Sequence, residues 1–256
     1  MSRTRLTIGI FLICLIAAPS ASAQSVESGC ISCHQQADFY ARNPKLYAYY
    51  QLYLDSPHQQ AGVLCSACHG GNESSHSAQE AHVGVTPMSD DDSTINYQEQ
   101  PETCGQCHEN ERAQFIQSKH YAALMERPVA PTCTTCHSAM GGRPELRSIV
   151  LNACRNCHGE GNSENLPQIA DRAEDVFNKL NMIGGLMGWT KYYYESNELS
   201  DSDQAYVRGL EKNYVDVLSL VHRFDIAQTE DAVTDLFDKL REDFERALLD
   251  LERQAD

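Results

Sequence analysis

The alternation of apolar and polar positions divides the chain into three parts. A single apolar run, Leu6–Ala18, lies near the N terminus. A long middle part follows, which is rich in glycine, serine and other polar residues and has no sustained periodicity. From residue 166 onwards, apolar residues recur at spacings of three and four, as in amphipathic helices. The pattern therefore predicts a mainly α-helical protein with extensive coil.

The C-terminal part, residues 166–256, is predicted to form an acidic domain of three helices. A first apolar stripe starts at Ile169 and ends where the glycines of Ile183–Gly188 interrupt the helical pattern. Ser200–Asp203 is a good N-cap region for a second helix, and Thr229 is the predicted start of a third. The stripes must cover one another, the middle part of the chain, or a second subunit. A homo- or hetero-oligomer formed through this tail is one of these alternatives.

Residues 1–23 have the features of a cleaved signal peptide. Two arginines precede the apolar run, and Ala21–Ala23 supplies the small residues of a cleavage site. The run is shorter than the roughly 20 residues that span a bilayer. We therefore predict a periplasmic or otherwise exported protein with no integral membrane segment after cleavage. Cys14 leaves with this segment, which reduces the eleven cysteines to ten.

The ten remaining cysteines form five copies of one motif, Cys-x-x-Cys-His. Motifs I to V contain the pairs Cys30/Cys33, Cys65/Cys68, Cys104/Cys107, Cys133/Cys136 and Cys154/Cys157, followed by His34, His69, His108, His137 and His158. This is the attachment site of a c-type haem, because the two thiols add to the vinyl groups of one porphyrin and the adjacent imidazole binds its iron. We expect five covalently attached haems in a domain of residues 24–165.

Zinc sites and disulfides explain the pattern less well. A structural zinc ion takes four ligands from two such pairs and would leave one pair unused. A disulfide framework gives no reason for a histidine after every second cysteine. Five haems in so short a stretch leave little chain for a side-chain core, so the porphyrin faces must form most of the buried apolar surface. We therefore expect the chain without haem to be largely unfolded.

Five further histidines could fill the second axial positions of the five irons. Two of them, His58 and His120, each stand in a Ser-x-His step between two motifs. The segments Cys30–Gly71 and Cys104–Gly142 share the order motif, aromatic segment, Ser-x-His, motif, which indicates an internal repeat. This repeat favours both histidines as ligands over a surface role.

The other three histidines have less local support. His76 and His82 share one polar loop between motifs II and III, and His222 lies alone in the helical tail. Without their number, the simpler interpretation would be a surface or buried structural histidine. A complete set of His–His haems requires all three. The predicted metal ligands are therefore the five motif histidines together with His58, His76, His82, His120 and His222.

The charge of the chain limits its partners. The net charge is −16 at pH 7, which disfavours nucleic acid and anionic membranes. We expect redox protein partners with a basic docking patch. A run of acidic residues on a solvated helix face is the simpler explanation of the charge.

The motifs resemble those of multihaem c-type cytochromes related to hydroxylamine oxidoreductase and pentahaem nitrite reductase, and most of all their small electron-carrying members. The resemblance rests on the motifs around Ser-x-His, on Gly62–Gly71, and on a tail with Trp189–Ser196 followed by Val221–Ala227. It implies closely spaced haems with two histidine ligands that pass electrons, and in enzymes one haem with an open or unusual ligand set. No Cys-x-x-Cys-Lys occurs here, so the lysine-ligated catalytic haem of the nitrite reductases is not expected.

Two functions follow from these observations. The first is an exported pentahaem carrier whose irons all have two histidine ligands, without a catalytic residue. The alternative is an oxidoreductase with one open haem that acts on a small nitrogen or sulfur oxyanion. The second interpretation gains weight if His76 or His82 does not reach an iron.

Overall fold

The structure is a computed structural model that describes residues 28–127, 130–138, 146–161, 166–195 and 200–255. The predicted signal peptide and the predicted domain boundary at residue 165 lie outside the described residues. The described part is helical with long coil segments and contains no strand. The expected fold class, mainly α with extensive coil, is confirmed.

The helices are short in the first two thirds of the chain and long in the last third. In chain order they are α1 (Gly29–His34), α2 (Ala37–Arg42), α3 (Pro44–Leu54), α4 (Pro57–Gln60), α5 (Ser66–His69), α6 (Ala78–Ala81), α7 (Gln100–Gly105), α8 (Glu109–Phe115), α9 (Lys119–Glu126), α10 (Cys133–His137), α11 (Leu146–Ile149), α12 (Arg155–His158), α13 (Pro167–Glu195), α14 (Asp201–Leu220) and α15 (Ile226–Ala255). A π-helical turn, Val150–Cys154, joins α11 to α12, and a 3₁₀ turn, Val221–Arg223, follows α14.

The three long helices pack into a unit with its own apolar core. Leu180 and Ile183 of α13, Leu210 of α14, and Val233 and Leu240 of α15 are almost completely buried in one cluster. Their spacing of three or four residues places them on one face of each helix. The predicted three-helix tail is therefore present.

The first of these helices does not end at the glycines, so the predicted break at Ile183–Gly188 is wrong. Helix α13 continues to Glu195 because Ile183 and Met187, on either side of the glycines, are both buried in the core. That burial outweighs the cost of about 1 kcal/mol for each helical glycine. Gly184 also lies against the Tyr214 hydroxyl of α14, at 3.3 Å from the position of a Cβ atom.

The starts of the other two helices show how capping works in this tail. Ser200 caps α14 as predicted, since its Oγ accepts from the backbone N–H of Asp203 in a capping box. Helix α15 begins at Ile226, three residues before the predicted start at Thr229. Asp225 is the cap, because its Oδ1 accepts from the N–H of Gln228 at 3.2 Å, while Thr229 is buried within the first turn.

The middle part of the chain has little side-chain core among its described residues. Its main buried apolar cluster is formed by Phe115, Leu124 and Ala130. Short helices and turns connect the motifs, and several large apolar side chains of α2 and α3 are exposed. The expected packing of this part of the chain on porphyrin faces stays a prediction.

The tail contacts the middle part at the turn between α14 and α15. Phe224 has a left-handed backbone conformation, with φ of 55°, which is unfavourable for a bulky residue. Its ring packs edge-on against His120, with centroids 4.5 Å apart, and against Phe115. Arg155 of α12 also forms ion pairs with Asp171 and Glu174 of α13. The tail is therefore docked on the motif region at two places.

Truncating the core of the tail should be costly. Leu240→Ala should lower the free energy of unfolding of the three-helix unit by about 2–5 kcal/mol, because Leu240 is 0 % exposed. Leu249→Ala, on the same helix but 53 % exposed, should change it by less than about 0.5 kcal/mol. Urea unfolding followed by helical circular dichroism measures both. Equal effects of the two substitutions would contradict this description of the core.

Candidate haem-binding site

The motif helices present their two cysteines and the histidine together. In motifs I, II, IV and V the histidine is the last residue of a short helix, α1, α5, α10 or α12. Motif III runs from the end of α7 to His108, the residue before α8. Residues three apart lie on the same side of a helical turn, so both thiols of a motif face one way. None of the ten cysteines in the described part forms a disulfide.

Consecutive motifs lie side by side. Burial raises the pKa of Cys65, Cys68 and Cys136, and in each case a thiol of a neighbouring motif raises it further. A hydrogen bond with Cys133 raises the pKa of Cys104 and lowers that of Cys133 to about 7. The neighbouring pairs are Cys30 with Cys65, Cys68 with Cys107, Cys104 with Cys133, and Cys136 with Cys154. The five motifs therefore form a row in chain order, which the sequence did not indicate.

Cys33 and Cys157 differ from the other eight predicted attachment residues, although the same role was predicted for all ten. Cys33 acts on Cys30 of its own motif, and Cys157 acts on Cys154 of its own motif, in each case by raising the pKa of that neighbour. Neither belongs to the four pairs that join one motif to the next in the described part of the chain. Cys33 is half-buried and Cys157 is exposed. They differ because motifs I and V lie at the two ends of the row, so each of these motifs joins one other motif through one thiol. Cys33 and Cys157 are the remaining thiols of these two motifs. Haem attachment at Cys33 and Cys157 stays a prediction.

Four motif histidines face a second histidine across a constant gap. The ring centroids are 6.1 Å apart for His34 with His82, 6.1 Å for His58 with His108, 5.9 Å for His120 with His158, and 6.0 Å for His137 with His222. The angle between the ring planes varies from 15° to 75°, so ring stacking does not explain the common distance. The four pairs therefore share a distance between ring centroids, but they do not share a stacking contact between ring faces.

The distance fits one metal ion between the two rings. A metal–imidazole bond is about 2.0 Å and the ring centre lies about 1 Å beyond the nitrogen, so two imidazoles on opposite sides of one ion have centroids about 6 Å apart. Aromatic rings in direct contact have centroids about 4.5–7 Å apart, so what favours a common ion is that four histidine pairs keep 5.9–6.1 Å at very different ring angles. The four pairs therefore have the spacing of two ligands on opposite sides of one metal ion, and each pair lies next to the two thiols of one motif.

The protonation of the rings also suits metal binding, which requires neutral imidazole. Desolvation and the neighbouring His222 lower the pKa of His137. Desolvation, His82 and His69 lower the pKa of His34. Since a lowered pKa leaves histidine deprotonated at neutral pH, both rings are in the form that binds a metal.

The Ser-x-His steps have a structural reason. Ser56 caps α4 by accepting from the N–H of Gln59, and Ser118 caps α9 by accepting from the N–H of Tyr121. Both serines are almost completely buried. His58 and the equivalent His120 therefore stand at the second position of a capped helix, where the cap determines the direction of the side chain.

The two histidines of the repeat also reach equivalent partners. His58 lies between motifs I and II and faces the histidine of motif III. His120 lies between motifs III and IV and faces the histidine of motif V. Each therefore passes over the next motif along the chain and meets the one after it. The predicted internal repeat thus extends to the geometry of these pairs.

Second contacts orient the rings of His82 and His222. The Nδ1 atom of His82 lies 2.7 Å from the carbonyl oxygen of Ala78, at the start of α6. The Nδ1 atom of His222 lies 3.2 Å from the carbonyl oxygens of both Leu218 and Ser219. A carbonyl only accepts, so Nδ1 carries the proton and Nε2 is left to bind a metal. The single helical turn of α6, unexpected in so polar a loop, positions His82.

Motif II differs from the other four. No histidine ring in the described part of the chain faces His69 at the spacing of the four pairs. The one other histidine outside those pairs, His76, is directed to motif I, where its Nδ1 lies 3.2 Å from the Ser32 hydroxyl. The sequence-predicted ligand His76 is therefore near the site, but not opposite His69.

Comparisons with known proteins agree with a haem protein. The chain is 29% identical over 130 residues to the C-type polyheme cytochrome OmcB of Geobacter sulfurreducens, in strain DL-1/KN400 and equally in strain PCA. The match covers 48% of this chain and 15% of the relative. This similarity supports a multihaem c-type cytochrome. No family model matches the chain, and no solved structure matches it.

A relationship to hydroxylamine oxidoreductase or to the nitrite reductases stays a prediction. None of the described helices is both long and apolar enough to span a membrane. The 15% coverage means that the chain corresponds to a small part of the curated relatives.

Proposed function

We propose that the protein is an exported electron-transfer cytochrome that carries five covalently attached c-type haems. The observation that carries this proposal is the set of four histidine pairs with ring centroids 5.9–6.1 Å apart, each beside a Cys-x-x-Cys-His motif. Similarity to a polyhaem cytochrome supports it. Bound haem iron supplies one-electron exchange between the ferric and ferrous states.

The chain's own residues would hold and shield the cofactors. The ten motif cysteines form the thioether links, and the motif histidines are the proximal ligands. The second ligands we propose are His82 for motif I, His58 for motif III, His222 for motif IV and His120 for motif V. Two histidine ligands at these four sites leave no iron position for substrate, and a carrier with five such haems further requires His76 as the second ligand at motif II.

The row of neighbouring motifs supports transfer over short steps. Each attachment site adjoins the site of the next motif through a pair of cysteines, from motif I to motif V. The outermost thiols of the row are Cys33 and Cys157, and we propose that redox partners dock near them. The acidic surface favours partners with a basic patch.

A second candidate function is favoured by the position of His69. Because no histidine ring in the described part of the chain faces His69 at the spacing of the four pairs, the iron at motif II would keep one position open to a small ligand. The protein would then be an oxidoreductase or a ligand-binding cytochrome for a small nitrogen or sulfur oxyanion. The other four sites would supply its electrons.

The spectra of the purified holoprotein decide between these functions. The carrier predicts only low-spin ferric signals, for all five haems, and no reaction with cyanide or carbon monoxide. The second candidate predicts one high-spin haem in five that binds one equivalent of either ligand. Intact mass, measured first, must give five haems, and fewer would overturn the pentahaem assignment.

Two matched variants locate any open site. His82→Ala should add one high-spin haem under either function, because His82 faces His34. His76→Ala should add one high-spin haem only if His76 binds the iron of motif II. An unchanged spectrum of His76→Ala, in a protein that already has one high-spin haem, would leave the carrier proposal untenable.

A further inference from the structure

A short loop after motif II fastens motif I to motif II. The central residue of this loop, Glu73, is only 9 % exposed. Its Oε1 accepts a short hydrogen bond from the Ser28 hydroxyl, and its Oε2 accepts from the N–H of Ser66 at 2.9 Å. Its backbone carbonyl accepts from the N–H of Gly29 at 2.8 Å. Glu73 is therefore bound to the residues that precede α1 and open α5.

The fit at this junction is close. Ser28 caps α1, since its Oγ also accepts from the N–H of Ile31. A Cβ atom on Gly29 would lie 2.1 Å from the carbonyl oxygen of Ser75, so no larger residue fits there. The two motifs and the loop thus form one packed unit, with the carboxylate inside it.

The carboxylate is ionised at neutral pH. Burial acts to raise the pKa of Glu73, but hydrogen bonds from Ser28 and Ser66 outweigh it and hold the pKa below the usual range. The negative charge of Glu73 acts on both attachment sites. Burial is the largest cause that raises the pKa of Cys30 and of Cys65, and Glu73 is the second largest. A buried anion therefore lies between motifs I and II.

We propose that Glu73 is a shared electrostatic element that lowers the reduction potentials of the haems at motifs I and II. Reduction adds one electron and lowers the charge of the iron by one, so a nearby fixed anion stabilises the ferric state. Burial reduces the screening of this charge by solvent and salt. The inference rests on the proposed haem attachment at both motifs.

The test is Glu73→Gln in the holoprotein, with the five potentials measured by spectroelectrochemical titration. Glutamine keeps the shape and an acceptor oxygen but removes the charge. At a fixed potential, the ratio of reduced to oxidised protein should rise roughly tenfold for two of the five haems, equal to a shift of about 59 mV each. The other three should not change.

Glu80→Gln is the matched control. Glu80 lies in α6, which follows the same loop, and accepts from the Ser75 hydroxyl at 2.9 Å, but it is exposed. This variant should leave all five potentials at their wild-type values. Five unchanged potentials in Glu73→Gln, or an equal shift of all five, would overturn the proposal.

Haem content separates this inference from the proposed function. A wild-type protein with fewer than five haems would contradict the proposed function. A Glu73→Gln variant that keeps five haems and has wild-type potentials would contradict only the role of Glu73. If Glu73→Gln does not retain five haems, Glu73→Asp replaces it. Aspartate keeps the charge and shortens the side chain, so the proposal then expects wild-type potentials, and raised potentials at motifs I and II would refute it.

Discussion

His222→Ala should convert one low-spin haem of the holoprotein to high-spin and leave the other haems unchanged. His222 faces His137 at 6.0 Å between ring centroids, and its Nδ1 is held by two backbone carbonyls at the end of α14. Alanine removes the imidazole, so the iron at motif IV would keep His137 as its one protein ligand. The high-spin signal in ferric EPR, with the corresponding loss in the visible spectrum, measures the change.

Two further measurements make this result specific. Added imidazole should restore the low-spin spectrum of His222→Ala, because it fills the position that the side chain leaves. Lys212→Ala, an exposed substitution on α14, should have no spectral effect. A low-spin spectrum of His222→Ala before imidazole is added would show that His222 is a structural histidine and that the pairing with His137 has no metal between its members.

The protein without haem should separate into an unfolded part and a folded one. Among the described residues, four apolar side chains are buried between residues 28 and 138, whereas thirteen are buried in α13, α14 and α15. Burial of apolar area must offset a conformational entropy cost of about 1–2 kcal/mol per residue. We therefore expect residues 28–138 to be disordered without haem and residues 167–255 to keep their helices.

Hydrogen exchange of a variant with all ten motif cysteines replaced by serine tests this expectation. Amides of α13 and α15 should remain protected, while those of α1 to α10 should exchange at unfolded rates. Trp189, the single tryptophan, packs against Phe244 with ring centroids 4.4 Å apart. Its fluorescence therefore reports whether the tail is folded. Protection that is equally strong in both parts would contradict the view that the haems form the core of the first.

The sequence contains more information about the chemistry of the candidate site than about its geometry. Cys-x-x-Cys-His carries its function in the residue types and their spacing, which need no fold to be recognised. The Ser-x-His steps were equally informative, because a capping serine determines the local direction of His58 and His120. Ser200 was recognised as a cap for the same reason. These signals are all local.

The features that were not predicted from the sequence depend on contacts between residues far apart along the chain. The glycines of α13 were expected to end the helix, and only the burial of Ile183 and Met187 against other helices shows why they do not. The loop with His82 looked too polar for structure, yet one helical turn brings its ring to His34. Glu73 gave no signal, because its burial depends on contacts with Ser28, 45 residues away.

The order of the motifs in space was also beyond the sequence. Five identical motifs give no indication of which thiols lie between two sites and which lie at an end. Only the packing of one motif on the next distinguishes Cys33 and Cys157 from the eight cysteines that adjoin another motif.

The crossing of the histidines over neighbouring motifs has a consequence for how such a protein can evolve or be redesigned. If the second histidine of each motif lay in the segment next to that motif, haems could be added or removed one at a time. Here a cut between motifs II and III would separate His58 from His108, and one between motifs IV and V would separate His120 from His158. No pair crosses the segment between His108 and His120, so two units could be duplicated with their pairs intact: motifs I to III with His58 and His82, and motifs IV and V with His120 and His222. Loss of motif I or of motif V alone would leave an imidazole without its partner.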